Sequence, residues 1–482
     1  MRALAYEELK GSNGKEVRFR APRYDARKLF SRSPPRVRLR TSTYQLKNIS
    51  LGGVSILCKQ TTPDLPEVGE IVPITIQQAG FSIFESKARV CRRDDTVFGS
   101  SLAFNFVNNF IEFEKLLSRN AQAQISGRAD DNASSNHLVP KEYRLFCADV
   151  LSVLRSYRAA IEDNAELAKV ASCGFDFNDC YDACEAKLLQ QWRPLWRTGN
   201  DLIRSIENDR DALQATKHFS ELVLTPEFRL GSIWDRSYAK PLGYPGDYEI
   251  MNSVYSGERH GNDTYSMLLH RLGLEVAECI KTRMELVRAQ IATTVADKST
   301  ERSARILSLG SGPAREIELF LSNSRSFGGR ADFTLIDQEP AALQYAFEKT
   351  HPYVLHSDGR TKLQCLHMSF TEILRGVNAL ENLPPQDLIY SLGLIDYLTD
   401  RRAAALMRRL YETLAPGGLL IIGNMNETPL SNLWPMECIA DWTLHYRNEK
   451  EMLLWAEAIS PAAAWTETDV TERVRLLFVR KH

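Results

Sequence analysis

From Ala304 to the last residue, short apolar runs alternate with stretches of helical spacing: "ARILSLG", "DFTLID", "LQCLHMS", "DLIYSLGL", "GGLLIIGN" and "RVRLLFVR". Runs this continuously apolar are buried on both faces and need helices above and below them. Five such units and a terminal strand predict an α/β doubly wound, Rossmann-like sheet spanning residues 301–482. The first unit is the most informative. In "RILSLGSGPAREI" an apolar strand meets Gly310-Ser311-Gly312 and then a helix-like segment, so the free N–H groups of a helix start face a ligand.

A dinucleotide turn wants a third small residue, but that position is Arg315, which disfavours a pyrophosphate. Asp337 closes the second run. A carboxylate there accepts two hydrogen bonds from the ribose hydroxyls of an adenosine ligand. Glycine turn and acid together serve NAD or S-adenosylmethionine alike.

The order of the later runs separates the two. Residues 301–482 resemble the class I S-adenosylmethionine-dependent methyltransferases. "ILSLGSGPARE" looks like the family's first motif and "LHMSF" lies where such enzymes border the adenine. "DLIYSLGLIDYL" looks like the fourth strand entering the reaction centre, and "LAPGGLLIIGN" like the fifth. The resemblance implies an S-adenosylmethionine cofactor bound by Gly310, Ser311, Gly312, Asp337, Met368, Ser369, Ser391 and Gly393. A dehydrogenase or an inert relative is the alternative.

Upstream, two prolines and two glycines in "WDRSYAKPLGYPGDYEIMN" forbid a continuous helix around Tyr244, Asp247 and Tyr248. Such a loop serves as a lid or as an elbow between helices. The stretch resembles a segment of the methyltransferase subgroup that makes a hydroxy-fatty-acid methyl ester signal (3-hydroxypalmitic acid methyl ester). That resemblance implies that Tyr244 and Asp247 face the cofactor's methionyl end, Asp247 accepting from its ammonium group. In "ECIADWTLHYRNEKEM", Trp442, Tyr446 and Arg447 share a face if the segment is helical. Arg447 beside Tyr446 would then hold a carboxylate bidentately; a solvated amphipathic helix is the other reading. An ionised carboxylate acceptor needs positioning and desolvation but no general base, and no triad is evident. For a hydroxyl or amine acceptor the nearest bases are Asp396, Tyr397 and His445.

The 482 residues, 44% apolar and 25% charged, have ordinary globular composition. Net charge is −1, so only a local patch could attract nucleic acid or a membrane. No signal-peptide core and no membrane-spanning run is present. The nine cysteines form no C-x-x-C pair. Cys180 and Cys184 lie one helical turn apart without a histidine to complete a metal set, so reduced thiols in a cytoplasmic protein are expected.

Residues 17–119 carry short, regularly spaced strands that predict a small antiparallel barrel. Its leader, "VRFRAPRYDARKLFSRSPPRVRLR", is basic enough for a nucleic-acid arm. However, the R-x-x-x-R of Arg23 and Arg27, followed by "NISLGG", resembles the PilZ domain, a barrel that binds bacterial cyclic di-GMP. The resemblance implies Arg23, Arg27, Asn48, Ser50 and Gly53 as messenger-binding residues, with Arg32, Arg36 and Arg40 offering an alternative register. Polar residues 120–137 read as a linker, and residues 138–300 as a helical cap whose apolar stripes form core or a homodimer face. The expectation is a cyclic di-GMP-responsive methyltransferase acting on a small molecule, without nucleic acid. The alternative is an effector scaffold in which the fold binds but moves no methyl group.

Overall fold

The structure, a computed structural model, describes residues 23–30, 35–40, 42–58, 65–78, 81–96, 99–122, 136–170, 177–298, 302–323, 329–374, 380 and 382–482. Backbone packing divides the chain into two units, between Asn136 and His137.

The first unit holds strands β1 (Arg23–Asp25), β2 (Arg36–Leu39), β3 (Ser42–Ser50), β4 (Gly53–Cys58), β5 (Ile71–Gln78), β6 (Phe81–Thr96) and β7 (Gly99–Phe106). β2 pairs β5, then β6, β7, β4 and β3 follow, and β3 returns to β2, every pair antiparallel. Six strands thus close into a barrel, which leaves no open edge. Period-two alternation fills it: Val37, Leu39, Tyr44, Leu46, Ile74 and Ile76 are buried. The basic run is therefore not all leader, because Arg36–Leu39 is a barrel strand with its arginines outward. β1 lies antiparallel beside the far end of β3. A helix covers 113–122, including the first residues expected of the linker; 123–135 lie outside the described residues.

The second unit begins with helices Lys141–Val170, Phe177–Ser205, Arg210–Val223, Ser232–Ala239, Tyr248–Ser256 and Thr264–Ala296. They lead into β8 (Ala304–Leu309), β9 (Ala331–Asp337), β10 (Thr361–His367), β11 (Gln386–Ser391), β12 (Leu414–Met425), β13 (Ala463–Thr468) and β14 (Val474–Arg480). The sheet order is β10-β9-β8-β11-β12-β14-β13, with parallel pairs except where β14 runs antiparallel to β12 and β13. Successive residues go to opposite faces. Ile306, Phe333, Leu388, Ile421 and Leu476 join the core shared with the long helices. Leu307, Ile336, Ile389, Ile422 and Leu477 join a second core under helix Asp400–Glu412. Helix and sheet therefore share one hydrophobic body. Sheet order reverses between β8 and β11, the switch point beyond which a crevice opens at the strand ends.

Candidate functional site

A cavity of about 250 Å³ occupies that crevice. Its floor is the glycine turn. Gly310, Gly312 and Ala314 all have left-handed φ, at 67°, 51° and 51°, which folds the chain back from β8 into helix Arg315–Asn323. The Gly310 N–H donates to Ile336 O at 2.8 Å, and the Gly312 N–H to Asp337 Oδ2 at 2.8 Å. The Glu339 N–H holds the other oxygen, Asp337 Oδ1, at 2.9 Å. Burial raises the Asp337 carboxyl above its ordinary range, and these N–H groups work against that rise. The acid is thereby fixed in orientation at the cavity border.

Other expected cofactor residues divide. Ser311, Met368 and Gly393 line the cavity. Ser311 Oγ is buried and has no hydrogen-bond partner, and a Cβ on Gly312 would meet nothing within 4 Å. Ser369 does not line it: its hydroxyl and N–H engage Glu372 at the start of helix Phe370–Leu374. Ser391 is fully buried at the end of β11, behind the lining.

The loop after helix Ser232–Ala239 lines the cavity with Tyr244 and Gly246, and the helix Tyr248–Ser256 that follows adds Tyr248, Met251 and Tyr255. Tyr244 sits near the Asp337 and Glu339 carboxylates. Its hydroxyl is pushed up by burial first and by those charges second. Three contacts tie the loop to the chain beyond β11 and β12. Lys240 Nζ donates to Asp441 Oδ2 at 2.6 Å; Tyr397 Oη donates to Pro245 O at 3.3 Å and accepts from Trp442 Nε1 at 2.9 Å; Gly246 lies against the Trp442 ring.

Two expected roles need correction. Asp247 does not face the cavity. It is 1% exposed, caps helix Tyr248–Ser256 through the Glu249 and Ile250 N–H groups, and pairs with Arg236 at 2.8 Å. Its acceptor capacity is already engaged by these groups. Residues after β12 form a π-helical turn, Pro435–Ile439, and residues 441–447 then belong to no helix, so Trp442, Tyr446 and Arg447 share no helical face. Proline at the turn and a left-handed φ of 49° at Asp441 prevent a regular helix. Arg447, 3% exposed, donates to Asp400 Oδ1 (2.8 Å), Asn424 Oδ1 (2.7 Å), Ile395 O and Leu398 O. It braces the chain instead of clamping an acceptor. Tyr446 is also outside the lining, its hydroxyl buried without a hydrogen-bond partner.

Among the bases considered, Asp396 and Tyr397 line the cavity and His445 does not. Asp396 is buried, and burial pushes its carboxyl up to about 6 against the pull of Arg283, the Met425 N–H and Arg447. Sequence reasoning missed Arg283, Glu316 and Tyr390. Glu316 follows the glycine turn, borders the cavity and accepts from Tyr390 Oη at 2.7 Å. Arg283 comes from the long helix Thr264–Ala296, where Ile280, Arg283 and Val287 occupy one buried stripe. A charge interrupting an apolar stripe was the signal available.

In the barrel, Arg23 stands opposite Ser50 and Asp25 opposite Asn48. Asn48 Oδ1 accepts from Ser55 Oγ at 2.7 Å, and Ser50 Oγ donates to Gly53 O at 3.2 Å. A Cβ on Gly53 would lie 2.2 Å from Phe104 O, so this glycine is needed for the close pairing of β4 and β7. The Arg27 side chain and all of Arg32 lie outside the described residues. Arg36 is exposed on β2, and Arg40 pairs with Glu70 at 2.5 Å.

No family model and no curated relative matches the chain. Solved structures do. A possible exported protein from Bordetella parapertussis is 18% identical, with 56% of this chain and 96% of that one covered and a TM-score of 0.41. Magnesium protoporphyrin IX methyltransferase from Synechocystis PCC 6803, with bound SAH, gives 14%, 52%, 98% and 0.36. The N-methyltransferase NodS from Bradyrhizobium japonicum WM9, also with S-adenosyl-L-homocysteine, gives 16%, 41%, 86% and 0.28. The second unit is an α/β domain with a mixed sheet, and the first holds a closed antiparallel barrel. Among the described residues no helix is long and apolar enough to cross a membrane, and no cluster of three metal-ligating side chains occurs.

Proposed function

We propose that the chain is an S-adenosylmethionine-dependent methyltransferase acting on a small carboxylic acid, with a hydroxy-fatty acid as the acceptor suggested by the lid sequence. The observation that carries this reading is the mixed lining of the cavity. Part of it is polar: the glycine turn, the unpartnered Ser311 hydroxyl and the fixed Asp337 carboxylate, with Met368. Part of it is apolar: Ile280, Met425, Met436, Trp442 and Leu444. The first set fits an adenosine ribose and the second an apolar acceptor.

S-adenosylmethionine supplies an electrophilic methyl group on a sulfonium. The chain's residues supply position and desolvation: Asp337 orients the ribose, while Tyr244, Gly246 and Trp442 exclude water above the strand ends. A carboxylate acceptor positioned in the cavity would already be nucleophilic, so the chain's residues would need to orient and desolvate it but not to take a proton from it.

The barrel is proposed to bind cyclic di-GMP. Arg23, an exposed residue set in register with Ser50, supports this, because arginine forks suit phosphates and guanine edges. To test the enzymatic reading, the full chain is incubated with S-adenosylmethionine and a bacterial acid extract. S-adenosylhomocysteine and base-labile methyl esters are expected. Cofactor binding without either product would instead favour the non-catalytic scaffold.

A further inference from the structure

Among the described residues of the second unit, three arginines are buried: Arg283, Arg447 and Arg473. Burying a guanidinium is costly unless its donors find acceptors. Arg447 has the four acceptors already named. Arg473 donates to the Glu275 and Val276 carbonyls at 2.7 and 3.1 Å. Arg283 makes no hydrogen bond among the described residues. Its ion pair, Nη1 to Asp396 Oδ2, spans 3.9 Å, beyond hydrogen-bonding reach. Both groups border the cavity.

The surroundings keep this pair apart. The Met425 N–H holds Asp396 Oδ1 at 2.5 Å, so the carboxylate is not free to swing toward Arg283. Gly393 leaves the guanidinium its space, since a Cβ there would stand 2.8 Å from Nη2. One helical turn before Arg283, Ile280 lies with Met436 and Trp442 in the apolar wall. The same three residues border a smaller apolar hollow shared with Ile233, Trp234 and Ala277. A cation with unused donors beside an apolar wall describes a site for an amphiphilic anion.

We propose that Arg283 binds the acceptor's carboxylate, and that the entering anion takes Arg283 from Asp396, which then holds a proton. This rests on the methyltransferase reading and adds its recognition chemistry. The Asp396 carboxyl, already at about 6, faces Arg283 from the long helix and is influenced by Arg447. Tyr397 and Tyr446 also sense its charge, and the Glu316 carboxyl senses that of Arg283. A second anion nearby raises it further. The steps balance: Asp396 takes one proton from solvent as the carboxylate enters, methyl transfer makes a neutral ester, and Asp396 returns the proton as Arg283 is released.

The test is calorimetry on the full chain saturated with S-adenosylhomocysteine, titrated with dodecanoate or 1-dodecanol at pH 7.5. Two buffers of different ionisation enthalpy report proton exchange. Dodecanoate should bind at least about tenfold more tightly than dodecanol, with uptake of about one proton. Arg283→Gln should lose about tenfold or more for dodecanoate with S-adenosylhomocysteine affinity retained, and Arg283→Lys should recover part of the loss. Asp396→Asn should bind dodecanoate without proton uptake. Equal binding of acid and alcohol, or no uptake by the unmodified chain, would overturn the proposal. So would loss of S-adenosylhomocysteine affinity in Arg283→Gln, which would put the guanidinium on the cofactor. Failure of the unmodified chain to bind S-adenosylhomocysteine would instead overturn the methyltransferase reading itself.

Discussion

Asp396 illustrates how one side chain can serve a site at the fold's expense. Its carboxyl rises from 3.8 to about 6 on folding because burial disfavours the charged form. The folded chain therefore holds that proton more tightly than the unfolded chain. Stability from this group is full below about pH 4, falls as pH rises to about 6, and stays reduced above. Asp396→Asn keeps an oxygen for the Met425 N–H but cannot ionise. It should therefore be more stable than the unmodified chain at pH 8, by up to about 3 kcal/mol, with a smaller difference at pH 5. Thermal midpoints at both pH values check this. Gly246 makes the complementary case. Its φ is 74° and a Cβ would lie 2.3 Å from the Trp442 ring, so Gly246→Ala must displace that ring. A loss of about 1–3 kcal/mol is expected, with weakened acceptor binding, measurable by denaturation and KM.

At the level of elements, patterns of burial decided what could be read from sequence. β8, β9, β11 and β12 are buried on both faces and announce themselves as apolar runs. β13 does not, because its "AAWTET" is half-exposed at the sheet edge. β2 was hidden inside a basic run, since its two arginines point outward from the barrel. The glycine turn, Asp337 and Tyr244 were legible because their chemistry is local. Arg447 was misjudged because its partners, Asp400, Asn424, Ile395 and Leu398, come from distant segments that spacing cannot reveal. Arg283 interrupts an apolar stripe, but the Asp396 it faces comes from a distant segment, so the stripe alone did not point to the cavity. The ion pair that ties the loop after helix Ser232–Ala239 is another long-range pairing, joining Lys240 to Asp441. Asp441 is 45% exposed, so the pair adds little stability, and Lys240→Ala should barely move the thermal midpoint. It should instead raise the acceptor's KM by loosening the loop, a split visible in steady-state kinetics.

For the molecule as a whole, the proposed messenger-binding barrel and the proposed methyltransferase on one chain invite coupling. Cyclic di-GMP alters the enzyme only if it favours one state of the chain over another. Coupling of about 1–3 kcal/mol, reciprocal between messenger and cofactor, is expected. Arg23→Ala should abolish messenger binding and any such effect while leaving cofactor affinity in its absence unchanged, as paired titrations would show. The most direct test of the central claim is calorimetric titration of the full chain and Asp337→Ala with S-adenosylhomocysteine and, separately, NAD. The unmodified chain should bind S-adenosylhomocysteine and not NAD, and Asp337→Ala should lose about tenfold or more in affinity through its missing ribose contacts. Binding of NAD alone, or an affinity for S-adenosylhomocysteine indifferent to Asp337, would contradict the assignment.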